Sequence, residues 1–219
     1  MATRGRAEQT GDGMADGDNR DGTTVLSFGG RRIPRSLRAL RTVAVAGAQD
    51  IDAAAERVSR LIVVGGDADL ADVLTRLMRT ERLDVEVGQA RGWLSARRAR
   101  TGRARRVPLI RDETGTVIVG RAEWTGPPEA GGLHGEAVVD DTVLFDGDVP
   151  GVRVEPTPSM PGLRATVLSR RGRPARWVTG RAAQLGTTGA VVVRDGRATP
   201  RPVRRSTFYR HIEGWLRVS

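Results

Sequence analysis

The chain has 219 residues, a net charge of +10, and a basic complement made up wholly of arginine, 36 in all with no lysine. Cysteine is absent and the two histidines, His134 and His211, stand apart. Disulfides, thiolate or histidine-rich metal centres, Schiff bases and any phosphate loop built on lysine are therefore excluded. Arginine in place of lysine, beside abundant Ala, Gly and Val, matches the composition of GC-rich coding, so the charge alone says little about a partner.

Residues 1–23 hold Gly, Asp, Arg and small residues with almost nothing to bury, which predicts a disordered lead-in without a secretory apolar core. No apolar stretch approaches the ~20 residues of a membrane span. The expected location is cytoplasmic, with a peripheral place on the inner face of the membrane left open.

A short strand is predicted at 25–28, followed by a brief helix that Pro34 opens and Leu37 and Leu40 anchor. From residue 42 the pattern tightens into strand 42–46, helix 51–60 capped by Asp50, strand 61–64, helix 69–79 and strand 83–87. Leu61, Ile62, Val63 and Val64 run without polar alternation, as in a parallel strand covered on both faces. Leu70, Val73, Leu74, Leu77 and Met78 then fall at the spacing of one helix face. Between strand and helix stand Gly65, Gly66 and Asp67. Glycines there let backbone approach a ligand closely, and amides at a helix start favour an anion. Asp67 or Asp69 can also cap the helix. Ligands in parallel sheets bind beyond the carboxyl ends of the strands, which is where this turn lies.

Residues 91–106 are predicted to be a basic linker, with Trp93 and Leu94 among seven arginines and with Gly92 and Gly102 weakening any continuous helix. Two readings stand: a solvated connector, or a tongue touching phosphate groups or an anionic bilayer. Charge is segregated further along. Residues 91–111 hold eight arginines and no acid, and 112–148 hold nine acids and one arginine.

From residue 107 the helical period gives way to short β-branched runs at 107–111, 116–120, 136–139, 142–145, 152–155, 164–168, 176–179, 190–193 and 215–218. Turn chemistry at Asp112-Glu113-Thr114-Gly115, Asp146-Gly147 and Asp195-Gly196 predicts hairpins. The fold class expected is thus α/β plus all-β: a small N-terminal parallel, Rossmann-like unit at 24–90, the linker at 91–106, and a larger antiparallel β-sandwich at 107–219. Asp140, Asp141, Asp146 and Asp148 are candidate Mg²⁺ ligands by chemistry, though a hairpin turn also favours Asp. His211, beside Phe208 and Tyr209, reads as packed structure.

A parallel unit carrying Gly65-Gly66-Asp67-Ala68-Asp69 after its buried strand, followed by a β unit, resembles the diacylglycerol kinase and sphingosine kinase superfamily, which shares its glycine motif with NAD kinases. Three of the five positions of the family's GGDGT match. The late stretch from Gly180 to Gly186, then Val191 to Gly196, resembles the family's final strands leading to an Asp-Gly-acid turn. The resemblance implies ATP against the glycine turn, with Gly65 and Gly66 as phosphate-facing backbone and Asp67 as the acidic member of the nucleotide site. It also implies an assisting divalent metal, Mg²⁺, and a late catalytic acid that takes the proton of a lipid hydroxyl, a role falling nearest to Asp195. The chain departs from the pattern where Ala68 and Asp69 replace the glycine and threonine, where Arg197 stands in place of the acid after Asp-Gly, and where no LGTGN-like loop follows Val87.

Two functions follow from these expectations. One is a divergent, kinase-like protein that binds a nucleotide or phosphorylated lipid, with or without phosphoryl transfer from ATP. The other is a non-enzymatic module whose arginine-rich surfaces hold an anionic partner: protein, membrane or, ranked below these, nucleic acid.

Overall fold

The computed structural model describes residues 22–219. The first part runs β1 (Thr23–Ser27), a 3-10 turn (Arg35–Leu37), β2 (Arg41–Ala44), α1 (Ala48–Ala55), β3 (Arg60–Val64), α2 (Asp67–Arg79), β4 (Glu86–Gln89), α3 (Trp93–Thr101) and β5 (Ala104–Val107). There follow β6 (Ile110–Asp112), β7 (Val117–Ile118), β8 (Ala122–Thr125), β9 (Leu133–Val139), β10 (Thr142–Val149) and β11 (Val152–Pro156). The chain closes with β12 (Leu163–Val167), β13 (Val178–Gly180), β14 (Ala182–Arg194), β15 (Arg197–Ala198), β16 (Val203–Arg210) and β17 (Trp215–Val218). Among the described residues no helix is long and apolar enough to cross a membrane.

The first sheet has the order β2-β1-β3-β4-β17-β5, parallel from β2 through β17 and antiparallel at β5. Its unalternated strand is explained by two cores. Leu61 and Val63 of β3 join the cluster under α1 and α2, whereas Ile62 and Val64 join the one under α3 and the 3-10 turn. A strand covered on both sides has no face on which a polar residue is tolerated. α2 buries Leu70, Val73, Leu74 and Leu77, and it carries acids in its first turn and arginines in its last, as the helix dipole favours.

α1 begins at Ala48, three residues before its predicted start, so Asp50 lies inside its first turn. From there its carboxylate accepts the amides of Ala46 at 2.8 Å and Gly47 at 2.9 Å. These bonds, Ala46 first, hold the Asp50 carboxyl below the usual carboxylate range, against a small effect of desolvation. A carboxyl with a depressed folded pKa stabilises the fold above its unfolded pKa and loses that contribution as pH falls through the folded value. Asp50→Ala is therefore expected to melt below the parent near neutral pH and to converge with it in acid. A gap in melting temperature that persists at acid pH would show that the carboxylate is not its cause.

Residues 91–106 are not a linker. Gly92 and Gly102, which the sequence suggested would weaken a helix, bound one instead, and α3 packs Ala96 and Ala99 against the sheet. The approach is close because position 88 is glycine: a Cβ there would sit 2.7 Å from that of Ala99. Arg60 fastens the far end, its guanidinium donating to the carbonyls of Ala99, Arg100 and Gly102 while it pairs with Glu86.

The β unit is a bent antiparallel sheet of eleven strands folded into a sandwich. β14 joins its layers: Ala183 to Thr187 pair with β9 and Val191 to Arg194 with β8, with a register shift toward β16 between Gly186 and Ala190. Trp124 is fully buried at the centre, stacked on Phe208 at 5.7 Å, and its indole N–H donates to Ser206 Oγ at 3.0 Å. Three expectations change here. Asp146-Gly147 lies within β10 rather than in a turn, and the hairpin turn is at Asp140-Asp141, where Asp140 takes φ +50°. The runs 107–111 and 190–193 belong respectively to two separate strands and to the end of one long strand. β17 leaves the β unit and rejoins the first sheet between β4 and β5. Of the lead-in predicted over 1–23, residues 1–21 lie outside the described residues, while Gly22 is held through its carbonyl by the amide of Ser59 at 2.9 Å.

Candidate functional site

β3 ends at Val64 and delivers Gly65 and Gly66 to the start of α2. The amide of Gly66 is not bare: Asp69 reaches back from the first helical turn and accepts it through Oδ2 at 2.7 Å. This explains the glycine at 65, where a Cβ would fall 2.6 Å from that same oxygen. The residue at the family's threonine position is thus the helix cap, and its carboxylate takes an amide that the sequence reading offered to phosphate.

The turn does face open space. A hollow of about 570 Å³ is lined by Val64, Gly65, Gly66 and Asp67 on one side and by Arg31, Arg32 and Arg91 on the other. It sits beyond the carboxyl ends of β1, β3 and β4, where each arginine follows a parallel strand. Arg31 and Arg32 were not singled out in the sequence, although the signal was present: Gly29 and Gly30 precede them, both at positive φ. That geometry turns the chain sharply after β1 and brings the pair of cations over the sheet's end.

Asp67 separates this hollow from a second. Its Oδ1 pairs with the Arg91 guanidinium and lies 3.4 Å from the Gln89 side-chain amide, which also donates to the Gly65 carbonyl at 3.3 Å. The second hollow, about 530 Å³, lies between the two units. Asp67, Gln89, Arg91 and Arg98 form its polar wall, and Leu70, Ile118 and Trp215 are among its apolar lining. The Asp67–Arg91 pair is common to both cavities.

Asp195 approaches the same place from the β unit. A Cβ on Gly120 would lie 2.8 Å from Asp67 Oδ2 and 3.1 Å from Asp195 Oδ1, so one glycine stands between the two acids flagged in the sequence. Asp195 is held by backbone amides in this arrangement, however. Its Oδ2 accepts the amide of Val119 at 2.9 Å, and its Oδ1 accepts those of Gly120 at 2.7 Å and Arg121 at 2.9 Å. The geometry makes it a clamp on the 119–121 loop, where the family resemblance had implied a base. Arg197, two residues on, grips α2: it donates to both oxygens of Asp72 at 2.9 and 2.7 Å and lies 3.6 Å from Asp69. The Asp72 hydrogen bonds raise its already high pKa against partial burial, with Asp69 and Asp195 adding to the field.

The remaining candidates disperse. Asp140 accepts the amides of Arg181 and Ala182, and Asp148 pairs with His134 at 2.9 Å. No group of three or more acidic or histidine side chains among the described residues is arranged to hold a metal ion. His211 is held below its ordinary pKa by burial first and by Arg111 second, with Glu213 opposing, and its amide donates to the Leu109 carbonyl at 2.8 Å.

No family model matches the chain, and no curated protein does either. Solved structures do. The crystal structure of a diacylglycerol kinase from Bacillus anthracis str. Sterne aligns at a TM-score of 0.67 and 12% identity, over 90% of this chain and 96% of that one. A structure of an NAD kinase from Archaeoglobus fulgidus in complex with ATP aligns at 0.60 and 12% identity, over 90% and 93%. The chain shares the fold of these kinases, a parallel α/β unit followed by a β-sandwich.

Proposed function

We propose that the protein binds a nucleotide, or a ligand carrying similar phosphates, with its phosphates in the arginine-lined hollow beside Gly65 and Gly66 and the rest of the ligand directed past Asp67 toward the cleft between the units. The convergence of Arg31, Arg32 and Arg91 on that turn carries the reading. Three guanidiniums give charge-assisted, bidentate recognition of phosphate, and they compensate for the amide that Asp69 has taken. The shared fold supports it, since one solved example is an NAD kinase in complex with ATP. Arg91 exchanges partners in this scheme, leaving Asp67 for a phosphate oxygen, while Gln89 retains its bond to Gly65 and keeps the turn in place. Any Mg²⁺ is taken to arrive with the nucleotide, since among the described residues no group of three or more acidic or histidine side chains is arranged to hold one.

Phosphoryl transfer from ATP to a lipid hydroxyl is left out of this reading. The one acid suggested as proton acceptor, Asp195, is spent on three amides, and Arg197 stands where the resemblance places another. These two observations favour a scaffold that binds without turnover.

Thermal shift and calorimetry with ATP, ADP and NAD, with and without Mg²⁺, test the proposal. A ligand at a hundred times its Kd stabilises by about 2.7 kcal/mol, which for a chain of this size is a rise in Tm of roughly 5–10 °C. Arg91→Ala is expected to weaken the binding roughly tenfold or more, the scale of a lost charged hydrogen bond. Asp67→Ala, which removes the carboxylate that competes with phosphate for Arg91, is expected to leave the affinity unchanged or to raise it. No shift with any of the three nucleotides overturns the reading.

A further inference from the structure

Two stretches of the sequence, 29–49 and 88–111, contain arginine and no acidic residue. They lie 39 or more residues apart along the chain, yet the fold stacks them: α3 packs on the 3-10 turn at Arg35–Leu37, and Arg100 donates to the Ser36 carbonyl at 3.0 Å. A single basic face results. Arg31, Arg32, Arg35 and Arg38 on one segment and Arg97 and Arg98 on the other are exposed, and none has a carboxylate partner among the described residues.

This face also carries an apolar point. α3 turns Ala96 and Ala99 inward, and its opposite side begins with Trp93 and Leu94, which are 72% and 55% exposed. One turn further along, Arg97 follows Trp93 and Arg98 follows Leu94 at the i+4 spacing of a helix surface. Most other large apolar side chains of this unit are in its two cores. Trp93 and Leu94 are therefore left largely in solvent by the fold, and their position beside guanidiniums that have no carboxylate partner among the described residues calls for a partner that is anionic and can also accept apolar side chains. A lipid bilayer with anionic headgroups has both properties: arginines meet lipid phosphates, a tryptophan ring settles at the headgroup level, and a leucine enters the acyl boundary. Nucleic acid matches only half of the description. It would use the charge but would leave Leu94 in water, and Trp93 protrudes at a helix end instead of lining a groove where bases stack.

We propose that this face is a docking surface for an anionic membrane, with Trp93 and Leu94 as the inserted point and the arginines of the 3-10 segment and α3 as the electrostatic contact. The hollow beside Gly65 and Gly66 shares Arg31, Arg32 and Arg91 with the face, so its mouth lies at the membrane-facing rim. Docking does not depend on nucleotide binding, because neither Trp93 nor Leu94 lines either hollow.

The test uses the full chain with vesicles of phosphatidylcholine alone or mixed with phosphatidylglycerol. Co-sedimentation is expected with the mixed vesicles in dilute salt and is expected to fall steeply between about 0.05 and 0.5 M NaCl. Trp124 and Trp215 are buried and Trp177 is half-buried under the Arg164 guanidinium, so a blue shift on binding is assigned to Trp93 by its loss in a Trp93→Phe variant. Trp93→Phe should keep the binding and lose most of that shift. Trp93→Ala with Leu94→Ala should weaken partitioning roughly tenfold, and Arg38→Ala with Arg97→Ala roughly 25-fold, about fivefold for each charge. All four positions are exposed, so unchanged melting curves verify the fold of the variants. Nucleotide thermal shifts should persist in the Trp93/Leu94 variant, which separates failure of docking from failure of the nucleotide reading. Absence of binding to the anionic vesicles, binding that ignores both pairs of substitutions, or DNA binding that depends on the same residues while vesicles do not bind, overturns the proposal.

Discussion

Asp195→Ala is expected to lower the stability of the chain by about 3 kcal/mol, the scale set by removing a charged acceptor from several backbone amides at once. At this chain length that is a fall in Tm of roughly 6–12 °C. The amides of Val119, Gly120 and Arg121 all converge on the one carboxylate. Because the Asp195 amide in turn donates to the Arg121 carbonyl at 2.9 Å, loop and turn are tied in both directions. Asp195→Asn keeps one accepting oxygen but sets its NH₂ against a donor, so its loss should be intermediate, about 1–2 kcal/mol. Thermal melts of the two variants decide between the roles. An unchanged Tm for Asp195→Ala, coupled with loss of any phosphoryl transfer to an alcohol, would restore the proton-accepting role and refute the clamp.

Gly120→Ala should have the next largest effect, about 2 kcal/mol, as overpacking of a filled site does. The added methyl would fall 2.8 Å from Asp67 Oδ2 and 3.1 Å from Asp195 Oδ1. Terminal oxygens normally move aside cheaply, but here both carboxylates are anchored, that of Asp67 at its other oxygen, Oδ1, by Arg91 and Gln89, and that of Asp195 through three amides. Asp67 has the weaker hold and should give way, carrying Arg91 with it, so nucleotide affinity should fall together with stability. Placing Asp67→Ala in the same chain removes one of the two obstructions. A double-mutant cycle should then return at least half of the lost stability. Strictly additive effects would mean that Gly120 does not separate the two acids.

The parts of the fold that could be read from the sequence are those where burial dictates every position. β3 has to be apolar on both faces, and α2 has a wide apolar stripe, so their span and the glycine turn between them were readable. α3 was not readable, because its buried side is only Ala96 and Ala99 fitted against Gly88, and so faint a stripe disappears among arginines. β16 escaped for a similar reason: its fully buried side chains are Ser206 and Phe208, and its other positions include Arg204, Arg205 and Arg210. The Asp146-Gly147 dipeptide has turn chemistry, but Gly147 uses its positive φ inside an irregular strand, and Asp140 supplies the turn instead.

At the site, local chemistry could be read and long-range convergence could not. The sequence named Asp69 as a possible cap, and it is one. That the Asp195 carboxylate folds back on amides 74 to 76 residues earlier is a property of the tertiary path alone. The same holds for Arg31, Arg32 and Arg91, which meet only because β1 and β4 end at the same edge of one sheet.

The return of β17 to the first sheet has a mechanical consequence. The polypeptide crosses from the parallel sheet to the sandwich after β5 and crosses back before β17, and those two strands are hydrogen-bonded neighbours. The lobes are thus joined by a pair of adjacent straps instead of a single tether. Two straps side by side behave like the pins of a door: they permit swinging about the line through them and resist twisting or sliding. Trp215 and Val107, at the roots of the straps, also line the cavity between the lobes. Any opening of that cavity therefore pivots at its own inner wall, and its mouth is widest on the side away from the straps.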